Sequence, residues 1–60
     1  MEYEAIEFLD YYNNEECFGL LYNGEFVICL CCGSIFELDD IQIIRHITIQ
    51  ELIDFLARRT

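Results

Sequence analysis

The sequence predicts a small α+β domain: a small antiparallel β-sheet with a cysteine-bearing turn in one hairpin and a C-terminal helix packed on one sheet face. Three observations predict it. Asn23-Gly24 is the strongest short signal for a β-hairpin, because a tight turn of this hand needs positive φ at both central positions. Cys29-Leu30-Cys31-Cys32-Gly33 lies between two strand-like runs, Glu25-Phe26-Val27-Ile28 and Ser34-Ile35-Phe36-Glu37-Leu38. Thr48 followed by Glu51 is a capping box that opens an amphipathic segment.

In residues 2–12, Ala5, Phe8, Leu9 and Tyr12 recur at helical spacing with Glu2, Glu4 and Glu7 early, where the helix dipole favours anions. This reads as a short N-terminal helix. The alternative is a strand from Ala5 to Tyr11, since Ile6 and Tyr11 broaden the apolar stripe. Asn13-Asn14 ends either element, and Cys17 to Tyr22 leads into the Asn23-Gly24 hairpin. A two-residue turn there places Cys17 opposite Leu30 and on the face of Cys32, with Cys29 and Cys31 facing the other way.

Leu38-Asp39-Asp40 reads as a turn and Ile41 to Ile47 as a strand, with Ile41, Ile43 and Ile47 on one face and Gln42, Ile44 and His46 on the other. Residues 49–59 form the helix. Ile47 and Leu52 supply a hydrophobic staple, and Ile49, Leu52, Ile53 and Leu56 make the stripe expected to be buried. Asp54 is placed to pair with Arg58, and Arg58 and Arg59 complement the negative end of the dipole.

The chain of 60 residues shows no repeat, no proline and no linker, so residues 1–60 read as one domain. A core of this size supplies only ~3–5 kcal/mol, which calls for a metal, disulfides or an oligomer interface. Four cysteines suffice for either covalent bridges or a metal site. Met1 is not followed by a charged-then-apolar secretion segment, so the expected setting is the reducing cytoplasm, which favours metal over disulfides. The apolar run Phe26 to Cys32 falls far short of the ~20 residues that span a bilayer.

Two thiolates three positions apart, with glycine directly after the second, suit a zinc knuckle, because the backbone must reverse close to a sulfur. The expected zinc ligands are Cys17, Cys29 and Cys32, with His46, the single histidine, as the fourth and Cys31 as its competitor. A regular ladder splits the cysteines two and two, so a single site needs the chain to leave regular pairing near Cys31-Cys32.

Charge is the other strong feature. The net charge is −9, and residues 1–44 contain no Lys or Arg. Direct nucleic-acid binding is disfavoured, since it depends on cationic side chains displacing counterions from phosphates. A basic protein surface is the favoured partner, with association speeded by the one-sign field. The acidic face draws on Glu2, Glu4, Glu7, Asp10, Glu15, Glu16, Glu25, Glu37, Asp39 and Asp40, and the loop pairs Glu15-Glu16 and Asp39-Asp40 are its expected contact clusters. Tyr11-Tyr12, the Phe18 to Tyr22 strand edge and the Phe26 to Leu30 edge are further contact candidates, the last for a homodimer. Catalysis is not expected: no nucleophile motif surrounds the histidine, and no glycine-rich phosphate loop is present.

The combination of small size, acidity, absence of proline and the Cys17, Cys29-x-x-Cys32-Gly33 constellation resembles the small inhibitors of phages and mobile elements, particularly anti-CRISPR proteins against RNA-guided DNA nucleases. The resemblance covers whole-chain character; no defining motif exists to match. It implies binding to a basic lobe of the effector nuclease in the bacterial cytoplasm and obstruction of target-DNA loading, in some cases by imitating the charge of DNA. A zinc-binding protein–protein adaptor and a small homodimer without inhibitory activity are the alternatives.

Overall fold

The structure is a computed structural model that describes the backbone of residues 2–59 and the side chains of residues 2–58. Five strands, β1 (Tyr3–Asp10), β2 (Glu15–Tyr22), β3 (Phe26–Cys29), β4 (Ile35–Glu37) and β5 (Ile41–His46), form one antiparallel sheet, followed by helix α1 (Ile49–Arg59). The strand order is β4-β3-β2-β1-β5, with a 3-10 turn, Leu38–Asp40, between β4 and β5. The α+β class is as expected.

Residues 2–12 are not helical. β1 is the strand read as the alternative, and it occupies the middle of the β2-β1-β5 part of the sheet. Its apolar residues mimic a helical stripe because they are buried on both faces: Ala5 on one, Ile6 and Phe8 on the other. Pairing on both sides then satisfies its backbone, which decides the conformation.

Asn23-Gly24 makes the expected turn, with φ of 50° and 69° and the Glu25 N–H donating to the Tyr22 carbonyl at 2.9 Å. The ladder, however, begins one residue later than a two-residue loop gives. Tyr22 faces Phe26, and Gly19 faces Cys29, so Glu25 stands outside the pairing as an extra residue at the base of the turn.

The sheet is strongly curled. Phe8 of β1 and Phe36 of β4 are separated by two strands, about 14 Å in a flat sheet, yet their ring centroids lie 6.1 Å apart, edge to face. The concave face holds the core of Ile6, Phe8, Cys17, Leu21, Val27, Cys29 and Ile41, with Cys31 and Phe36 packed against it. Gly19 sits at the crease: a Cβ there would lie 2.5 Å from the Ile28 carbonyl oxygen and 2.9 Å from the Phe8 ring.

Helix α1 covers the convex face. Thr48 Oγ1 accepts from the Glu51 N–H at 3.1 Å, and a Glu51 carboxylate oxygen accepts from the Thr48 N–H at 3.3 Å, completing the capping box. Phe55 packs on Phe18 with centroids 4.4 Å apart, and Arg45 bridges Glu7 of β1 at 2.8 Å and Glu51 of the helix at 2.9 Å. Of the expected stripe only Leu52 is buried; Ile49, Ile53 and Leu56 are exposed, because the helix turns its Leu52 and Phe55 side toward the sheet. The Arg58 Nε donates to the Asp54 carbonyl, while the Asp54 carboxylate accepts from Gln50. In β5 a register shift against β1 skips Ile44, so His46 falls in register with Ile6, on the side of Ile41 and Ile43 rather than opposite them. Among the described residues no helix is long and apolar enough to cross a membrane.

Candidate metal centre

The late start of the β2–β3 ladder decides which cysteines meet. A slip of one residue exchanges the faces of every side chain on a strand. The pairing of Gly19 with Cys29 continues as the Leu30 N–H donates to the Phe18 carbonyl at 3.0 Å, which carries Cys31 across from Cys17. Cys17, Cys29 and Cys31 therefore share the concave face. Their sulfurs all lie within 4.8 Å of one another, a group able to hold a metal ion. The reading that set Cys29 and Cys31 on the face away from Cys17 is corrected by this register.

The chain then reverses in residues 30–33. The Gly33 N–H donates to the Cys29 carbonyl at 2.8 Å, the Cys29 N–H donates to the Ser34 carbonyl at 2.8 Å, and Gly33 takes φ of 77°. Glycine carries that left-handed backbone without the clash a Cβ would bring. Cys32 is exposed on the outside of this turn, whereas Cys17 and Cys29 are buried. The Cys32 sulfur is not among the three that converge within 4.8 Å, although Cys32 stands only three positions after Cys29 in the same turn.

All four thiols are free. Burial pushes the Cys17 thiol well above its usual range, with hydrogen bonding to Cys31 adding to the effect. Burial raises Cys29 too, partly countered by the backbone N–H groups of Cys32 and then Cys31. Cys32 is lowered, first by the Ser34 hydroxyl and then by the Ser34 backbone N–H. Amide donors aimed at sulfur favour the thiolate, the form that binds metal.

His46 does not join the cysteines. It lies on β5, in register with Ile6, and the strands β1 and β2 stand between it and Cys29. Its Nδ1 faces the Glu4 carboxylate at 3.5 Å, and its side chain is 64% exposed. The residue that sequence reasoning ranked as competitor, Cys31, is the one brought into the group with Cys17 and Cys29.

The expected contact residues are sorted by the same fold. Asp10 is buried, with one carboxylate oxygen accepting from the Tyr12 N–H and the other from the Asn13 amide, each at 2.8 Å, and Glu7 is engaged by Arg45. Neither belongs to an open acidic face. Glu15 and Glu16 begin β2 beside the end of β1, since Asp10 pairs with both Glu15 and Ile41. Asp39 and Asp40 lie just before Ile41, and the Tyr11 N–H donates to the Asp40 carbonyl at 3.2 Å while the Tyr12 hydroxyl donates to its carboxylate at 3.0 Å. Tyr12 also stacks on Phe36, with centroids 6.3 Å apart. The two acidic pairs thus lie at the same end of the molecule, Glu15 and Glu16 on the first residues of β2 rather than in a loop, with Tyr11 and Tyr12 exposed at that end. The phenol of Tyr12 is raised above its usual range, chiefly by its hydrogen bond to Asp40 and then by the charge of that carboxylate.

Two other contact candidates are corrected. β2 and β3 are both interior strands, so neither Phe18 to Tyr22 nor Phe26 to Leu30 offers a sheet edge; the edges are β4 and β5. No family model, no curated protein and no solved structure matches the chain.

Proposed function

We propose that this chain is a zinc-stabilised acidic binding protein, not a catalyst, that docks on a basic surface of a nucleic-acid enzyme and inhibits it, and that the enzyme is an RNA-guided DNA nuclease of the bacterial cytoplasm. The observation that carries the reading is the placement of the two acidic pairs at one end of the molecule. Hydrogen bonds from Tyr11 and Tyr12 hold Asp40, and with it Asp39, at the end of β1 where strand pairing also sets Glu15 and Glu16, and both tyrosine rings are exposed there. Aromatic side chains are enriched at protein interfaces, and carboxylates of one sign steer a ligand into a basic cleft. Residues 1–44 offer no cation to neutralise that field. A channel built to hold a nucleic-acid duplex is a matching surface.

Zinc enters the reading through Cys17, Cys29 and Cys31. Tetrahedral thiolate sites have zinc–sulfur distances of about 2.3 Å, hence sulfur–sulfur separations of about 3.8 Å. The observed cluster, within 4.8 Å, closes onto such an ion with shifts of about 1 Å or less.

The test is inhibition of target-DNA cleavage by a purified CRISPR nuclease, with the paired reversals Asp39→Lys/Asp40→Lys and Glu15→Lys/Glu16→Lys. The reading expects inhibition by the parent protein, weakening with salt as the Debye length falls from ~10 Å at 0.1 M toward ~3 Å at 1 M, and at least a tenfold loss of affinity in each double reversal. Absence of inhibition by the parent, or inhibition indifferent to both reversals, rejects it.

One observation favours the adaptor or homodimer as a second reading. Ile49, Ile53 and Leu56 form an exposed apolar stripe on α1, on the segment that holds Arg45, Arg58 and Arg59. A protein that inhibits no nuclease yet self-associates, with Ile53→Glu abolishing the association, fits that reading instead.

A further inference from the structure

We infer that Cys32 is the fourth ligand of the metal centre, giving a site of four thiolates whose exposed corner, Cys32, is where the ion enters and leaves. The inference rests on the zinc reading and fixes its ligand set. Three sulfurs, those of Cys17, Cys29 and Cys31, already converge. A structural zinc takes a closed tetrahedron of nitrogen and sulfur ligands, so one more donor is required.

Candidate donors near the cluster are few. Asp10 is near enough for its charge to act on Cys32, but both its carboxylate oxygens are taken by Tyr12 and Asn13. Ser34 offers only a hydroxyl, which is not among the usual zinc ligands. His46 lies across two strands and faces Glu4. Cys32 stands three positions after Cys29 in one tight turn, closed by the Gly33 N–H on the Cys29 carbonyl and the Cys29 N–H on the Ser34 carbonyl, so its sulfur, outside the three that already converge, needs only to swing inward over them.

The turn is also held in place at both of its ends. The Cys29 N–H and carbonyl are both held within the turn, by the Ser34 carbonyl and the Gly33 N–H, each at 2.8 Å, which fixes the backbone that carries Cys31 and Cys32. Hydrogen bonds around a metal site orient its ligands. The four ligands differ in access: Cys17 and Cys29 are buried, Cys31 is half-buried and Cys32 is exposed. Exchange with solvent or with a chelator therefore begins at Cys32. The bond made there is from zinc to the Cys32 sulfur, and its proton goes to solvent.

The experiment uses the full chain loaded with zinc. X-ray absorption at the zinc edge should give four sulfur neighbours, and His46→Ala should leave that count and the zinc affinity unchanged. Cys32→Ser should keep one zinc per chain with one sulfur fewer and lose it to a chelator at least tenfold faster. Zinc should also protect Cys32 of the unmodified protein from alkylation, read by peptide mass, which does not depend on any variant folding. Three sulfurs and a nitrogen, the nitrogen lost in His46→Ala, or rapid alkylation of Cys32 with zinc retained, overturns the four-thiolate set while leaving zinc binding intact. Failure to bind zinc at all removes the zinc reading and the ligand set with it.

Discussion

Arg45, one of three cationic residues in the chain, stands between Glu7 on the sheet and Glu51 on the helix, so a single guanidinium ties β1, β5 and α1 together. Its pKa is raised by these carboxylates, Glu51 first, and the Glu51 carboxyl is in turn held below its ordinary value of 4.5, chiefly by Arg45 and then by the Thr48 N–H. A carboxyl whose folded pKa is depressed contributes stability above its unfolded pKa and loses it as pH falls through the folded value. The melting temperature should therefore drop as pH is lowered from about 5 to 3, and Glu51→Gln should lower it at pH 7 while flattening that part of the profile. Thermal denaturation followed by circular dichroism across this range checks both. The capping box was legible because its partners lie three residues apart. The bridge from Glu7 to Arg45 was not, since it depends on how β1 and β5 pair.

At the scale of elements, the locally encoded features are the ones the sequence discloses: the Asn23-Gly24 turn, the Leu38–Asp40 turn, the β5 strand and the helix from Ile49. What local pattern left open was set by pairing partners. β1 carries apolar residues on both faces, and such a strand resembles a helix in any single-sequence period count. Exclusion of Glu25 from the ladder is not written in the dipeptide before it, yet that one residue moves Cys29 and Cys31 onto the face of Cys17. The β5 irregularity at Ile44 likewise moves His46. Gly19, unremarked in the sequence reading, carried a usable signal, since glycine inside a strand pattern often marks a close backbone approach. Its missing Cβ would sit 2.5 Å from a backbone oxygen, which cannot move aside as a side-chain tip can. Gly19→Ala should accordingly destabilise the fold by about 1–3 kcal/mol, the usual range for overpacking, measured by urea denaturation. A neutral Gly19→Ala would contradict the curled sheet.

For the molecule as a whole, the curl of the sheet brings the cysteine cluster and the acidic end close together. Phe8, in register with Cys17, packs on Phe36; Phe36 stacks on Tyr12; and Tyr12 is hydrogen-bonded to Asp40. The cysteines therefore sit beneath the surface that the proposed function uses, and an ion that draws Cys17 toward Cys31 braces the strand on which Glu15 and Glu16 stand. In the sequence the acidity and the cysteine turn were plain, whereas their adjacency required the topology. A chain of 60 residues with so small a core gains much from such an ion, since structural zinc sites contribute on the order of 10–16 kcal/mol of apparent binding free energy at pH 7. The measurement that bears most directly on this account is native mass spectrometry of the purified full chain, paired with thermal melting before and after a strong zinc chelator. One zinc per chain, with melting lowered by at least 15 °C or abolished once the ion is stripped, is the predicted result; a metal-free chain whose melting the chelator leaves unchanged would contradict it.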